Sequence, residues 1–172
     1  MTRIRSAEAT DASALASLAA RTFTDTFAHH NDPADMKAFL AQAYGERQQR
    51  EEISDPDIVT LVVEEGDELA GFAQLRRGPA PPSINGTGAV EIWRFYVERS
   101  FHGRGLAQAL MAEVRSVARS LGARTLWLGV WDRNARAIAF YEKSGFRVVG
   151  NHRFMLGRDE QNDLLMESVQ SS

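Results

Sequence analysis

The stretch EIWRFYVERSFHGRGLA, residues 91–107, places the tightest constraint on the fold of this chain. Its first seven positions are dense in β-branched and aromatic residues, which predicts a strand. Gly103 and Gly105 then form a turn, and LAQALMAEVRSVARSL repeats apolar residues every three or four positions, which predicts a helix. A strand, a glycine turn and a helix start in this order offer unpaired amides and partial positive charge to an anion.

The anion that fits this turn best is a phosphate or diphosphate. Glycine at 103 and 105 lets a bulky group approach the backbone, and Arg104 adds a charge that can pair with phosphate oxygens. A plain strand-to-helix connection has the same pattern and remains an alternative. The nucleotide-binding pattern Gly-x-x-x-x-Gly-Lys-Ser/Thr is missing, which disfavours a nucleotide-phosphate binder.

The N-terminal half reads as a strand and helices followed by strands. We expect an edge strand at Thr2–Arg5, a helix in ASALASLAARTFTDTF capped by Thr10-Asp11, a helix from Pro33 to Gly45, and a short helix or loop over 46–57. The runs IVTLVVEE and ELAGFAQLRR are separated by Glu-Gly-Asp, which predicts a hairpin. The proline-rich GPAPPSINGTG predicts a loop before the central strand.

The C-terminal half continues with alternating elements. TLWLGVW predicts a strand, 134–144 a helix that ends at Gly145, and 146–149 and 164–169 two last strands. Two strand-helix-strand crossovers imply an α/β fold with a mixed sheet and helices on both faces. At 172 residues, with no marked boundary, we expect one domain over 1–172.

The composition of the chain bears on four possibilities: nucleic-acid binding, cysteine chemistry, membrane insertion and metal binding. The net charge of -3 argues against a general nucleic-acid binder and suits a cationic small molecule. The chain has no cysteine, which excludes disulfides, thiolate catalysis and cysteine-based zinc sites. No apolar run approaches a membrane span and no signal-peptide core is present, so we expect a cytoplasmic protein without membrane contact. Of the four histidines, His102 and His152 are scattered, and no carboxylate lies at a ligand-like offset from His29 or His30, so we expect no metal site.

The element order, together with HGRGLA and VWDRNARAIAFYEKSGF, resembles the GNAT superfamily of acyl-CoA-dependent N-acetyltransferases. The resemblance covers nearly the whole chain and implies the GNAT fold, with a mostly antiparallel sheet of six to seven strands, and acetyl-CoA as cosubstrate. It implies that the loop amides hold the diphosphate of coenzyme A and that the preceding strand and the next helix start hold the pantetheine arm. The cofactor-binding residues that follow from it are Phe95, Tyr96, Val97, His102, Gly103, Arg104, Gly105, Leu106, Ala107, Asn134 and Tyr141. His102 departs from the Gln or Arg of the family pattern.

The resemblance also implies the catalytic residues. Tyr141 would protonate the departing thiolate, and Glu91 stands where several family members have a catalytic glutamate. An amine whose pKa is near ten is mostly protonated at neutral pH, so a base is required. The alternatives are a core aromatic at Tyr141, an exposed strand-end carboxylate at Glu91 and a plain helix cap at Asn134, although a cap can also bind.

For the acceptor we expect aromatic faces and carboxylates that attract an ammonium group. The candidates are Asp25, Phe27, Trp93 and His152, although Phe23 and Phe27 at a spacing of four are also typical of a core stripe. TFTDTFAHHN and NHRFMLGRDEQNDLLM resemble the bacterial PaiA-type spermidine/spermine N-acetyltransferases, which implies a polyamine acceptor. Another amine, a non-catalytic CoA-binding module, and a homodimer through a C-terminal sheet edge remain open.

Overall fold

The computed structural model describes residues 1–27 and 31–170, which form one seven-stranded sheet flanked by five helices. The strands are β1 (Thr2–Ser6), β2 (Ile58–Glu65), β3 (Glu68–Arg76), β4 (Ala89–Val97), β5 (Thr125–Trp131), β6 (Arg147–Leu156) and β7 (Asp159–Val169). The helices are α1 (Ala12–Phe27), α2 (Pro33–Ala43), α3 (Glu46–Ser54), α4 (Leu106–Ser120) and α5 (Ala135–Lys143), with short 3₁₀ turns at Ala9–Asp11 and Arg99–Phe101.

The strand order is β1-β2-β3-β4-β5-β7-β6, and every neighbouring pair is antiparallel except β4 and β5. The parallel pair is connected by α4, as a crossover between parallel strands requires. The predicted mixed, mostly antiparallel sheet with helices on both faces is therefore confirmed.

The two central strands pair over a short stretch only. Ala89–Glu91 of β4 lies beside Thr125–Trp127 of β5, and their pairing ends there. The rest of β4 stays paired with β3 and carries a bulge, because Gln74 faces Arg94 and Leu75 faces Ile92, which leaves Trp93 as the extra residue. A gap therefore opens in the sheet between the C-terminal halves of β4 and β5.

The two faces of the sheet carry separate cores. One face packs on α4 and α5 and contains Leu128 and Val130 of β5 together with Tyr141 of α5. The other face packs on α1, α2 and α3 and contains Trp131 of β5 and Phe27 of α1. Side chains alternate along a strand, so β5 contributes neighbouring residues to opposite faces beside the gap.

The last two strands are longer than predicted. β6 and β7 form one hairpin with Leu156 opposite Asp159 and a two-residue turn, in which Gly157 has φ 61°. The predicted bounds 146–149 and 164–169 are too short, because β6 is an edge strand with polar residues on both sides and lacks a clear apolar alternation. The homodimer through this edge stays a prediction.

A buried ion pair attaches α3 to the central strands. An Nη of Arg94 donates to Glu52 at 2.5 Å and to Gln74 at 2.7 Å, and Gln74 in turn donates to Glu52 at 3.0 Å. The side chains of Arg94 and Glu52 are 8% and 4% exposed, so each charge depends on the other for its stabilisation.

We predict that Glu52→Ala lowers the free energy of unfolding by about 3–5 kcal/mol, because it leaves the Arg94 guanidinium buried without its counter-charge. Glu51→Ala on the same helix is the control, since Glu51 pairs with Arg47 at the exposed surface and should cost less than about 0.5 kcal/mol. Urea unfolding followed by fluorescence measures both. Equal losses in the two variants would contradict the role of the buried pair.

Candidate active site

The gap between β4 and β5 belongs to a cleft with a volume of about 1250 Å³. Its walls come from α1, β4, the glycine turn, the start of α4, β5, α5, β6 and β7. The cleft brings together all but one of the residues predicted for the site, and the exception is Arg104. Those that line it are Asp25, Phe27, Glu91, Trp93, Phe95, Tyr96, Val97, His102, Gly103, Gly105, Leu106, Ala107, Asn134, Tyr141 and His152.

The glycine turn exposes its backbone to this cleft. Gly103 and Gly105 have φ values of 82° and 77°, which L residues with a side chain rarely adopt, and Gly105 caps the start of α4. A Cβ at either position would meet no atom within 4 Å, so the space above both is open. The first N–H groups of α4 have no intrahelical partner, and they face an open cleft at the positive end of the helix dipole.

His102 and Arg104 take different positions around this turn. Nε2 of His102 donates to the backbone oxygen of Val97 at 2.7 Å, so the imidazole ties the turn to the end of β4. The guanidinium of Arg104 lies 5.2 Å from the centre of the Phe101 ring and does not line the cleft. That Arg104 reaches phosphate oxygens stays a prediction, and this geometry does not support it, because Arg104 is absent from the cleft lining.

Besides Arg76 and Arg94 of the central strands, four cationic residues that sequence reasoning missed line the cleft. They follow β4 and β5 in the chain and are Arg99, Arg133, Arg136 and Lys143. Arg99 precedes the glycine turn, Arg133 and Arg136 flank the start of α5, and Lys143 ends α5, so together they make the lining of the cleft more positive. Their sequence neighbourhood gave no periodic signal, and only the fold brings them to the same opening.

Asn134 and Tyr141 mark the two ends of α5. The side-chain oxygen of Asn134 accepts a hydrogen bond from the amide of Ala137 at 3.2 Å, so Asn134 is the N-cap of α5. This bond does not use the side-chain NH₂ group. Tyr141 is 7% exposed and packs against the rings of Phe95, Phe140 and Phe146. Burial raises the pKa of the Tyr141 phenol, so it stays protonated throughout the neutral range.

The carboxylate of Glu91 is already engaged. Nε and Nη2 of Arg76 donate to one of its oxygens at 3.0 and 2.8 Å. The Trp93 ring next to it contacts two cations, since the guanidinium carbons of Arg76 and Arg94 lie 3.9 and 3.7 Å from its centre. An incoming ammonium group would therefore meet like charges at Trp93.

The predicted acceptor residues divide into core and surface. Phe27 stacks on Phe23 at 4.3 Å and contacts Trp131 at 4.7 Å, so it is a core residue with one side towards the cleft. Asp25 and His152 are exposed on the cleft wall. The cleft therefore has the expected aromatic and acidic side chains in its lining, but the Phe27 ring packs against other aromatic rings.

Asp163 is a further site residue that the sequence did not reveal. It lies on β7 opposite Trp131 of β5 and His152 of β6, and it lines the cleft. Burial, and to a smaller extent the charge of Asp132, raise the pKa of its carboxyl to about 7. The last strand was predicted to begin at Leu164, the residue after Asp163, so the sequence pattern did not place Asp163 on the sheet.

Within 1–27 and 31–170, no three histidine or acidic side chains converge to hold a metal ion. His29 and His30 lie outside the described residues. No helix in the part of the chain that the structure describes is long and apolar enough to cross a membrane.

Residues 15–146 match the model of the acetyltransferase (GNAT) family. The chain is 34% identical over 148 residues to an uncharacterised N-acetyltransferase of Lactobacillus delbrueckii subsp. lactis, which covers 86% of each protein. It is 30% identical over 91 residues to the spermine/spermidine N(1)-acetyltransferase of Bacillus subtilis (strain 168), covering 52% of this chain and 59% of that protein.

Among solved structures, the PaiA N-acetyltransferase of Thermoplasma acidophilum in complex with coenzyme A superposes with a TM-score of 0.81. Its sequence identity is 21%, and the match covers 99% of both chains, so it supports the fold. The chain belongs to the acetyltransferase (GNAT) family, and it is an N-acetyltransferase that uses acetyl-CoA as its cosubstrate. The residues present fit that cosubstrate, because the open glycine turn and the cationic side chains that line the cleft suit its phosphates.

Proposed function

We propose that this enzyme transfers the acetyl group of acetyl-CoA directly to a primary amine, with a polyamine as the preferred acceptor. The observation that carries the proposal is the arrangement of one cleft, in which the open glycine turn and Tyr141 flank the gap between β4 and β5. The bound thioester supplies an activated acetyl group. The residues of the chain orient it, receive the amine and move the protons.

The phosphate end of the cleft consists of the turn amides, with Gly103 and Gly105 supplying the backbone geometry. Unpaired backbone groups along Phe95–Val97 and the free NH₂ group of Asn134 are placed to bond the amide groups of the pantetheine arm. Both act on parts of the cosubstrate that do not react, so their contribution is to hold the thioester in one position.

Tyr141 is the general acid of this proposal. Its phenol stays protonated because it is buried, and an aromatic cage of Phe95, Phe140 and Phe146 fixes the ring. A phenol that keeps its proton at neutral pH can pass it to a thiolate as the carbon–sulfur bond breaks. The chain has no cysteine, so direct attack by the amine requires no acyl-enzyme step.

The acceptor end of the cleft carries carboxylates from three elements, which are Asp25 of α1, Glu91 of β4 and Asp163 of β7. A wall with several carboxylates raises the local concentration of a cation that carries more than one ammonium group. The similarity to the spermine/spermidine N(1)-acetyltransferase of Bacillus subtilis supports the same acceptor class. Glu91 was predicted as the base, and its bond to Arg76 makes it a paired carboxylate in this resting arrangement.

We predict that Gly105→Ala weakens acetyl-CoA binding at least about tenfold, because a Cβ at φ 77° distorts the turn that presents the amides. Gly122→Ala is a matched control. Gly122 lies at the other end of α4, has φ 78° and also has nothing within 4 Å of its Cβ position. Both variants should lose similar stability, while only Gly105→Ala loses affinity in calorimetric titration. Equal affinities would contradict the role of the turn.

For Tyr141→Phe we expect turnover to fall by about ten- to a thousandfold, because the phenol proton is removed and the ring is kept. Affinity for acetyl-CoA should stay within about twofold, since the hydroxyl acts only on the leaving sulfur. Thiol release measures turnover and calorimetry measures affinity. Unchanged turnover would remove Tyr141 from the mechanism.

The acceptor class is tested with a panel of amines at fixed acetyl-CoA, followed by thiol release. Spermidine and spermine should give the highest kcat/KM, ahead of amino acids, an aminoglycoside and peptides with a free N-terminus or lysine. High turnover of another member with both polyamines at background would overturn the polyamine assignment and keep the acetyltransferase assignment.

A further inference from the structure

Asp163 has three properties that the proposed mechanism has not used. It is a partly buried carboxyl on the cleft wall, and among residues 1–27 and 31–170 it has no hydrogen-bond or salt-bridge partner. It also lies against Gly129, a residue of β5 that has no side chain. A Cβ at Gly129 would stand 3.0 Å from Oδ2 of Asp163, so the missing side chain leaves the carboxyl its position over β5.

The Asp163 carboxyl and the Tyr141 phenol lie on different faces of the sheet. Gly129 and Trp131 of β5 are on the same face as Asp163, whereas Leu128 and Val130 pack with Tyr141 on the opposite face. Asp163 and Tyr141 therefore flank the gap from opposite sides of the sheet. An amine that attacks a thioester held in this gap would approach on one side, and the thiolate would leave on the other.

We propose that Asp163 is the general base that receives the acceptor ammonium and removes its proton, and that Glu91 does not. This assignment rests on the proposed acetyl transfer to an amine. Glu91 is neutralised by Arg76, whereas the Asp163 carboxyl is open to the cleft and offers both oxygens to an ammonium group.

The proton balance follows from this assignment. The ammonium gives one proton to the Asp163 carboxylate, and its nitrogen lone pair forms the bond to the acetyl carbon as the carbon–sulfur bond breaks. Tyr141 gives its proton to sulfur and is reprotonated by the second proton that the new amide nitrogen loses. The proton on Asp163 passes to solvent through the cleft, so the sum is ammonium and acetyl-CoA to N-acetylamine, free thiol and one proton.

The groups around Asp163 support this chemistry at neutral pH. Its pKa of about 7 comes from burial and from Asp132, which follows β5. His152 of β6 is its cross-strand neighbour, and Asp25 of α1 lines the same cleft. Tyr96 of β4 is also close: burial raises the pKa of its phenol, and the charge of Asp163 contributes to the increase. A base whose pKa is near the working pH transfers protons efficiently in both directions.

The test is the pH profile of kcat/KM for the amine that the panel shows to be turned over fastest, with spermidine as the expected probe. In the unsubstituted enzyme the rate should rise up to about pH 7 and then level off, because Asp163 is ionised and takes the proton from the abundant ammonium form. In Asp163→Asn the rate should follow the free amine and rise without a bend towards pH 9. The loss should be about 10²–10³-fold at pH 7 and about tenfold or less at pH 9.

Glu91→Gln is the matched control, and it should keep the bend near pH 7. A bend that persists in Asp163→Asn, or that disappears in Glu91→Gln, overturns the assignment and leaves acetyl transfer intact. Absence of turnover of every amine by the unsubstituted enzyme overturns both. A uniform loss in Asp163→Asn at all pH values would indicate a structural role and would also overturn it.

A second readout does not depend on turnover. The raised pKa means that the folded protein holds this proton more tightly than the unfolded chain, so ionised Asp163 lowers stability. That cost is absent below the unfolded value of 3.8 and complete above about pH 7. Asp163→Asn should therefore gain in thermal midpoint over the unsubstituted protein between pH 5 and pH 8. A difference that stays constant over this range would overturn the titration on which the base role depends.

Discussion

The early end of the pairing between β4 and β5 determines the rest of the active site. Three residue pairs join the strands, and beyond Glu91 and Trp127 the two backbones separate. The bulge at Trp93 keeps β4 paired with β3 while the strand bends away from β5. Hydrogen-bonding groups of β4 that a sheet would normally use are left for a ligand, and both faces of the sheet have access to the same gap.

In the proposed mechanism, access from two faces separates the proton donor from the proton acceptor. Tyr141 is in the core under α4 and α5, and burial keeps its phenol protonated. The acceptor side contains the carboxylates, and Asp163 lies there over Gly129. Burial in a medium of low polarity raises the pKa of both Tyr141 and Asp163. It keeps the Tyr141 phenol protonated, and it brings the pKa of the Asp163 carboxyl near neutral pH.

Much of the fold could be predicted from local patterns. The apolar repeat of α4 and the dense β-branched run of β4 determined their elements, and Gly122 and Gly145 ended the helices where predicted. The β6–β7 hairpin escaped prediction because its residues alternate poorly and its outer strand is solvated. The contact between Arg104 and the Phe101 ring could not be predicted either, because it depends on the 3₁₀ turn that carries Phe101.

The sequence alone determined the glycine turn and the order of the elements, because each depends on residues close together in the chain, and the family resemblance pointed to Asn134 and Tyr141. Only the tertiary structure decided which carboxylate is paired and which is open. Arg76 and Glu91 are on neighbouring strands, and Asp163 comes to Gly129 through a pairing between distant segments. The electrostatic state of a carboxyl depends on neighbours in space and on burial, and neither is written in local sequence.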